Sequence, residues 1–420
     1  MTDSPIDQAA TPESLRSLLR QRPFVLFWVA RLLAILAAQA QGVTIAWQVY
    51  EMARRSSGVE QSAFLLGMIG LAQFLPLFAL SLFAGDAADR HDRKTIVVVC
   101  LSIEIVCVAA LGWMALAGAS SFWPIFGLAA VFGAARAFFN PASTALAPSL
   151  VPPTLLPRAV AWNSLSWQGG SIAGPAVGGL LCAISPAAAY AAVGVLYLAS
   201  IAILLPVRAP LPQVRHTASR LTLMKEGLVY VWRQKIVFGS ISLDLVAVLL
   251  GGATALLPVF ARDILHVGAQ GFGVLRAAPA IGAAAVATVL ALHPIRRRAG
   301  AAMFSGVALF GAATLVFALS RSMTLSALAL VLLGGGDMIS VFVRQSLVQI
   351  VTPDPMRGRV AAVATLFVGA SNELGEFESG VAARLLGPVG AAVFGGLGAL
   401  IATGLWSRLF PDLRRADRLG

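Results

Sequence analysis

The chain has 420 residues, 58% of them hydrophobic and 12% charged, with a formal net charge of +12 and a mean hydropathy of +0.83. That composition leaves too little polar surface to cover a water-soluble fold, which excludes a soluble enzyme or binding module of this length. The basic excess does not point to nucleic acid: with the N-terminus inside, 22 of the 31 Lys and Arg residues fall on one side of a membrane, four on the other and five within helices, the bias that places both termini in the cytoplasm.

In chain order, residues 1–22 form a polar cytoplasmic tail without an apolar stretch, so the first span is expected to serve as an uncleaved insertion signal. Twelve runs of the roughly 20 apolar residues that a spanning helix needs follow: 24–49, 63–84, 95–117, 122–147, 160–183, 187–205, 236–259, 271–293, 299–319, 324–349, 360–386 and 389–410. Helices satisfy their own backbone groups in lipid, and no alternating ten-residue pattern of a membrane barrel is present. A cytoplasmic loop, 206–235, carries Pro210 and Pro212 and has an amphipathic second half, Leu221 to Trp232. It separates an N-terminal six-helix bundle, 23–205, from a C-terminal one, 236–410, which is followed by a cytoplasmic tail, 411–420. Leu150-Val151-Pro152-Pro153 aligns with Ile350-Val351-Thr352-Pro353, and Val160-Ala161 with Val360-Ala361, an internal repeat of the kind from which many transporters are built. The expected fold is an all-α membrane protein of twelve transmembrane helices in two pseudo-symmetric six-helix bundles.

Seven segments carry the candidate chemistry: one loop and six helices. Between predicted helices 2 and 3 runs Gly85-Asp86-Ala87-Ala88-Asp89-Arg90-His91-Asp92-Arg93-Lys94. Gly85 would let helix 2 turn, Asp86 could meet a helix N-terminus, whose partial positive charge favours a carboxylate, and the remaining acids and bases can neutralise one another. A solvated loop that only fixes topology is the alternative. The corresponding loop of the second half, from His293 to Gly300, is basic but lacks the Gly-Asp pair.

Predicted helix 5 carries Gly170, Gly174, Pro175, Gly178 and Gly179, a small-residue groove that lets helices approach closely in lipid. Ala277, Ala278, Pro279, Ala280 and Gly282 of helix 8 offer a partner surface. Charges within lipid are costly and point to function: Arg31 on helix 1, Arg136 on helix 4 with Asn140 one turn away, Asp244 on helix 7, and Asp337 on helix 10 with Arg344 two turns away. At 1.5 Å per residue, Arg136 and Asp337 fall at equal depth. Helix 11 holds Glu373, Glu376 and Glu378. The first two share a face and suit reversible protonation, or else the helix unwinds at Gly375 and Gly380 into a wet vestibule. Glu104 on helix 3 is placed at the periphery. The three cysteines, Cys100, Cys107 and Cys182, read as packing residues. No phosphate-binding loop, nucleophile arrangement or metal-ligand spacing is present.

The spacing G-D-x-x-D-R-x-x-R-K resembles the signature loop of the major facilitator superfamily. The resemblance implies that Gly85, Asp86, Asp89, Arg90, Arg93 and Lys94 form a cytoplasmic gate that latches the two halves when the cavity faces outward. It also implies that helices 1, 4, 7 and 10 line a central cavity, so that Arg136 and Asp337 would face each other across it, with Arg31 and Asp244 in its inner third. The helix 5 pattern G-x-x-x-G-P-x-x-G-G is similar to the antiporter motif of that superfamily. The helix 4 ending, from Phe138-Phe139-Asn140-Pro141-Ala142 to Pro152, together with Ser371 to Gly380 resembles the branch of enterobactin exporters and macrolide efflux proteins, also described as transmembrane secretion effectors or the third drug:proton antiporter family.

The expectation is a monomeric, proton-coupled exporter of an amphiphilic small molecule (a drug, macrolide or siderophore) in a bacterial inner membrane, without a cofactor, a metal or a nucleic-acid partner. Gln39, Gln41, Gln48, Trp47, Trp162 and Trp167 are expected near the cavity. An importer of a nutrient or metabolite is one alternative, and a non-transporting membrane receptor or assembly protein is another.

Overall fold

The computed structural model describes residues 15–417 apart from 119, 120, 210–219, 294 and 296. The tail up to residue 14, the Pro210 to Pro212 stretch, and Pro294 and Arg296 of the second basic loop lie outside the described residues. The described chain is almost wholly helical. Its membrane helices are α1 (Arg22–Ser56), α2 (Val59–Arg90), α3 (Arg93–Leu116), α4 (Trp123–Ser149), α5 (Leu156–Ile184) and α6 (Pro186–Leu204), then α7 (Lys235–Leu250), α8 (Gly268–Leu292), α9 (Ala299–Leu319), α10 (Met323–Val351), α11 (354–386) and α12 (388–409). Ten described segments are long and apolar enough to cross a membrane. One of these, Phe367–Leu409, joins α11 to α12; the Gly-rich α5, 29 residues long, is not among the ten.

Local sequence explains the breaks. Gly387 separates α11 from α12 at φ 74°, a conformation that costs glycine little, and Pro388 follows it. Beyond Leu250, α7 loosens into a tight 3₁₀ stretch, Gly252–Leu256, and a wide turn, Phe260–Ile264. The amphipathic segment of the central loop is a helix, Arg220–Arg233, tied to α11 by Glu226 and Arg359 and by close backbone approach of Gly227 to Arg359. The three cysteines are free and buried.

Within the N-terminal half, α1 packs on α5 and α6, α2 on α4, and α3 on α4 and α6; within the C-terminal half, α8 and α9 pack on α10, and α9 on α12. The halves meet chiefly where α2 packs on α11 and α5 on α8. Glycines set several of these crossings, and in matching places. A Cβ on Gly133 would fall 2.2 Å from the Gln73 carbonyl oxygen where α4 crosses α2, and one on Gly334 would fall 1.9 Å from the Pro279 carbonyl oxygen where α10 crosses α8. Between the halves, a Cβ on Gly67 would lie 2.9 Å from Gly380 Cα, and one on Gly179 would lie 2.5 Å from Gly273 Cα. The sequence repeat is therefore a repeat of backbone contacts, and the two inter-half crossings are its symmetry mates.

Two expectations change. The Gly170, Gly174 and Gly178 stripe faces α1 at Ile35, Leu36, Gln39 and Ala40, leaving Pro175 and Gly179 as contacts with α8. The α8 surface met there is Ala269 and Gly273, because Pro279 and Gly282 are occupied by α10 at Gly334 and Val331.

Because only backbone atoms surround the missing side chain at Gly179, the clash cannot be relieved by a rotamer change. Gly179→Ala is expected to destabilise the protein by about 1–3 kcal/mol, the cost of overpacking, whereas Gly404→Ala, with open space around it, leaves stability unchanged. Thermal denaturation of both variants in detergent checks this.

Candidate functional site

A cavity of about 550 Å³ lies between the halves, within the size range of small-molecule sites. It is lined by the middle stretches of α1, α2, α4, α5, α7, α8, α10 and α11, a wider set than helices 1, 4, 7 and 10. The walls mix rings (Phe132, Phe139, Trp167, Phe272) with amides (Gln39, Gln73, Asn140, Gln168), a lining suited to an amphiphilic guest.

Two ion pairs cross the cavity. Arg136 on α4 donates to Glu373 on α11 at 3.3 Å and to Gln73 on α2 at 3.4 Å, with its guanidinium 5.7 Å from the Phe132 ring centre. Arg276 on α8 donates to Glu376 on α11 at 3.3 Å and to the Thr254 carbonyl at 3.2 Å. The Arg136–Glu373 pair joins the two halves, while the Arg276–Glu376 pair lies within the second. α11 stays helical through Gly375 and Gly380, so no vestibule forms there by unwinding. Those glycines seat α7 and α2 instead: a Cβ on Gly375 would meet the Val248 and Leu249 carbonyls, and one on Gly380 would meet Gly67. Glu378, on the other side of α11, does not line the cavity.

Arg136 and Asp337 both line the cavity, but they do not pair. Equal depth fixed their height and not their direction around the helix axes, and Glu373 takes the guanidinium. Asp337 forms no hydrogen bond or ion pair with a described residue. Arg344 instead pairs with Asp244 at 3.3 Å, both side chains almost fully buried, away from the main cavity. Arg31 likewise leaves the cavity and donates to Ser143 on α4 at 2.9 Å. Gln41 and Gln48 accept from Tyr197 and Tyr190 on α6, and Trp162 accepts from Trp28 through its carbonyl at 2.7 Å. Gln39 and Trp167 line the cavity as expected. Glu104 is not peripheral. It is 3% exposed and reaches the cavity wall, close enough to Tyr197 and Arg136 to interact with both. Sequence reasoning missed Arg276, whose signal was an arginine inside an apolar run.

The signature decapeptide is mostly helix. Gly85 does not end α2, which continues to Arg90, held in its last turn by an Arg90–Asp86 ion pair of 2.9 Å. Asp86 therefore serves its own helix rather than another's N-terminus. Asp92 is the residue that caps a helix, accepting from the Lys94 and Thr95 backbone N–H groups at the start of α3. Arg93 donates to the carbonyls of Ala88 and Ala145 at 3.1 Å, and Lys94 donates to the Leu205 carbonyl. The bonds of Asp86, Arg90, Arg93 and Lys94 all stay within the N-terminal half.

The opposite face, away from the chain termini, is tied across the halves. Asp263 at the end of α7 accepts from Tyr50 and pairs with Arg54 of α1 at 3.2 Å. Arg262 pairs with Glu51 at 3.3 Å and lies 5.9 Å from the Tyr50 ring centre. One turn deeper, Trp47 stacks on Phe272 at 5.9 Å. Together with the Gly67–Gly380 and Gly179–Gly273 contacts, these close the cavity on that face.

A family model described as transmembrane secretion effector matches residues 14–418. The enterobactin exporter EntS of Citrobacter koseri is 27% identical over 403 residues, 95% of this chain and 94% of its own length, and EntS of Escherichia coli O81 matches to the same extent. A POT family transporter solved with a thioalcohol-conjugated peptide superposes with a TM-score of 0.73 at 12% identity, covering 93% of this chain and 96% of its own. A bacterial homologue of the iron transporter ferroportin in an inward-facing state does so at 0.65 and 18% identity, covering 93% and 99%. At these identities the solved structures establish the shared fold alone.

Removing one partner of the inter-half pair strands the other charge at membrane depth. In a double-mutant cycle of Arg136→Gln and Glu373→Gln, the double variant should lose less stability than the sum of the singles, with a coupling of about 0.5–3 kcal/mol; thermal denaturation of the four proteins in detergent provides the measurement.

Proposed function

The chain belongs to the transmembrane secretion effector family, and from that premise we propose that it is a proton-coupled exporter of an amphiphilic small molecule in a bacterial inner membrane, working by alternating access with both termini in the cytoplasm. The observation that carries this reading is the Arg136–Glu373 ion pair, which bridges the two halves inside a cavity of ligand size. A proton on Glu373 removes the charge that holds Arg136, and so loosens the contact between halves at the same place where a substrate would sit. Glu376 and Arg276 form a second ion pair in the cavity one turn further along α11, within the second half. Export is favoured by the similarity to EntS over nearly the whole chain and by the glycine pattern of α5. The cytoplasmic placement of the termini rests on the distribution of Lys and Arg.

The contacts already described support alternating access. With the opposite face tied by Asp263, Arg54, Tyr50, Arg262 and Glu51 and the bonds of Asp86, Arg90, Arg93 and Lys94 kept within one half, the cavity is shut on the outside. In the opposite state the gate segment around Asp86 and Arg90 would take up contacts with the second half while the α1–α7 ties part. The Gly67–Gly380 and Gly179–Gly273 crossings supply smooth pivots for such rocking.

The test is intracellular accumulation of a panel of fluorescent drugs and iron-chelating siderophores in expressing cells, with and without an uncoupler. Wild type should lower accumulation of at least one compound, the uncoupler should abolish that effect, and Glu373→Gln should raise accumulation to that of cells lacking the protein while remaining at wild-type levels in the membrane. Higher accumulation in expressing cells would make the protein an importer, and a Glu373→Gln variant with full proton-driven efflux would remove this carboxylate from coupling.

A further inference from the structure

Beside the main cavity, a second and much smaller space of about 10 Å³ lies between α7 and α10, about the volume that one water-sized sphere occupies. Its polar lining is Asp244, Asp337 and Ser340, and its other walls are apolar: Ala247, Val248, Val307 and Phe310. Three features of this space call for a ligand. The Ser340 hydroxyl is 2% exposed and has no hydrogen-bond partner, although a buried hydroxyl normally finds one. Asp337 contributes a carboxylate that no described residue pairs. And with both carboxylates ionised the charges do not balance: Asp244 and Asp337 bring two negative charges, Arg344 one positive charge, paired with the Asp244 Oδ2 at 3.3 Å.

We propose that this space binds one sodium ion, held by the Asp337 and Asp244 carboxylates and the Ser340 hydroxyl. The donors are all hard oxygens, the class that takes hard cations. The single uncompensated negative charge selects a monovalent ion, since a divalent one would leave a positive charge at membrane depth, where unpaired charge is costly. The volume admits a small ion stripped of most of its water. An entry path exists, because Asp337 lines both this space and the main cavity, through which the ion and any remaining water ligands would arrive. Arg344, whose Nε is buried without an acceptor, stays on Asp244 as the back wall of the site.

The site is independent of the proposed efflux and is tested by binding alone. A ligand that prefers the folded protein raises its melting temperature in a saturable way. The full chain, purified in detergent at fixed pH, is titrated with sodium, potassium or choline chloride at constant total ionic strength. Sodium should raise Tm to a plateau that potassium and choline do not reach. Asp337→Asn should abolish that response, Ser340→Ala should raise the half-saturating sodium concentration by about tenfold or more, and Glu376→Gln in the main cavity should retain it. Identical melting in the three salts, or a sodium response that survives in Asp337→Asn, overturns the proposal. If Asp337→Asn does not fold, an unchanged half-saturation in Ser340→Ala overturns it instead.

Discussion

An ionised side chain within the span of a lipid bilayer has to find a partner or face a protein-lined space, and that constraint organises the interior of this molecule. Arg136 sits in the middle of α4, and the carboxylate that answers it comes from α11 of the other half. Arg276 is answered from the same helix one turn on. Because each guanidinium needs its glutamate, α4, α8 and α11 are held around one space, and that space becomes the cavity. The most tightly packed charges, Asp244 and Arg344, stabilise no inter-half contact at all. They lie inside the second bundle, where breaking the pair would leave a charge stranded.

Mobility comes from the opposite device. Where the halves touch, glycine meets glycine, at Gly67 with Gly380 and at Gly179 with Gly273. Such contacts have no interdigitating side chains to lock one angle, so they hold the halves close by dispersion while leaving the angle soft. The directional bonds are concentrated at the cavity and at the face away from the termini. A protein built this way can exchange one set of polar ties for another without remaking its hydrophobic core, and protons or substrates that compete for Glu373 act on the element both halves share.

Much of this was legible in the sequence, for definable reasons. Twelve apolar runs read as twelve helices because a spanning helix must be long and apolar regardless of its neighbours. The 200-residue offset survives as matched glycine crossings at Gly133 and Gly334. What the sequence hid was direction. Depth along a helix follows from counting residues, but azimuth depends on packing, so Arg136 and Asp337 were matched in height and mismatched in facing, and the Gly170 to Gly178 stripe proved to seat α1. Gly85 was read as a turn because glycine favours turns, yet the Asp86–Arg90 pair carries the helix past it. Glu104 looked peripheral because α3 is an outer helix, whereas its long side chain reaches the cavity from behind.

The claim at the centre is that the cavity ion pair helps hold the halves in the state closed away from the termini. The most direct measurement is the distance between spin labels at Ser56→Cys, at the end of α1, and His266→Cys, beyond α7, in a protein whose buried Cys100, Cys107 and Cys182 have been replaced. A short, narrow distribution is expected with Glu373 intact, together with a longer and broader population in Glu373→Gln. Distributions that coincide for the two proteins would contradict the claim and leave closure of that face to the Asp263, Arg54 and Tyr50 cluster alone.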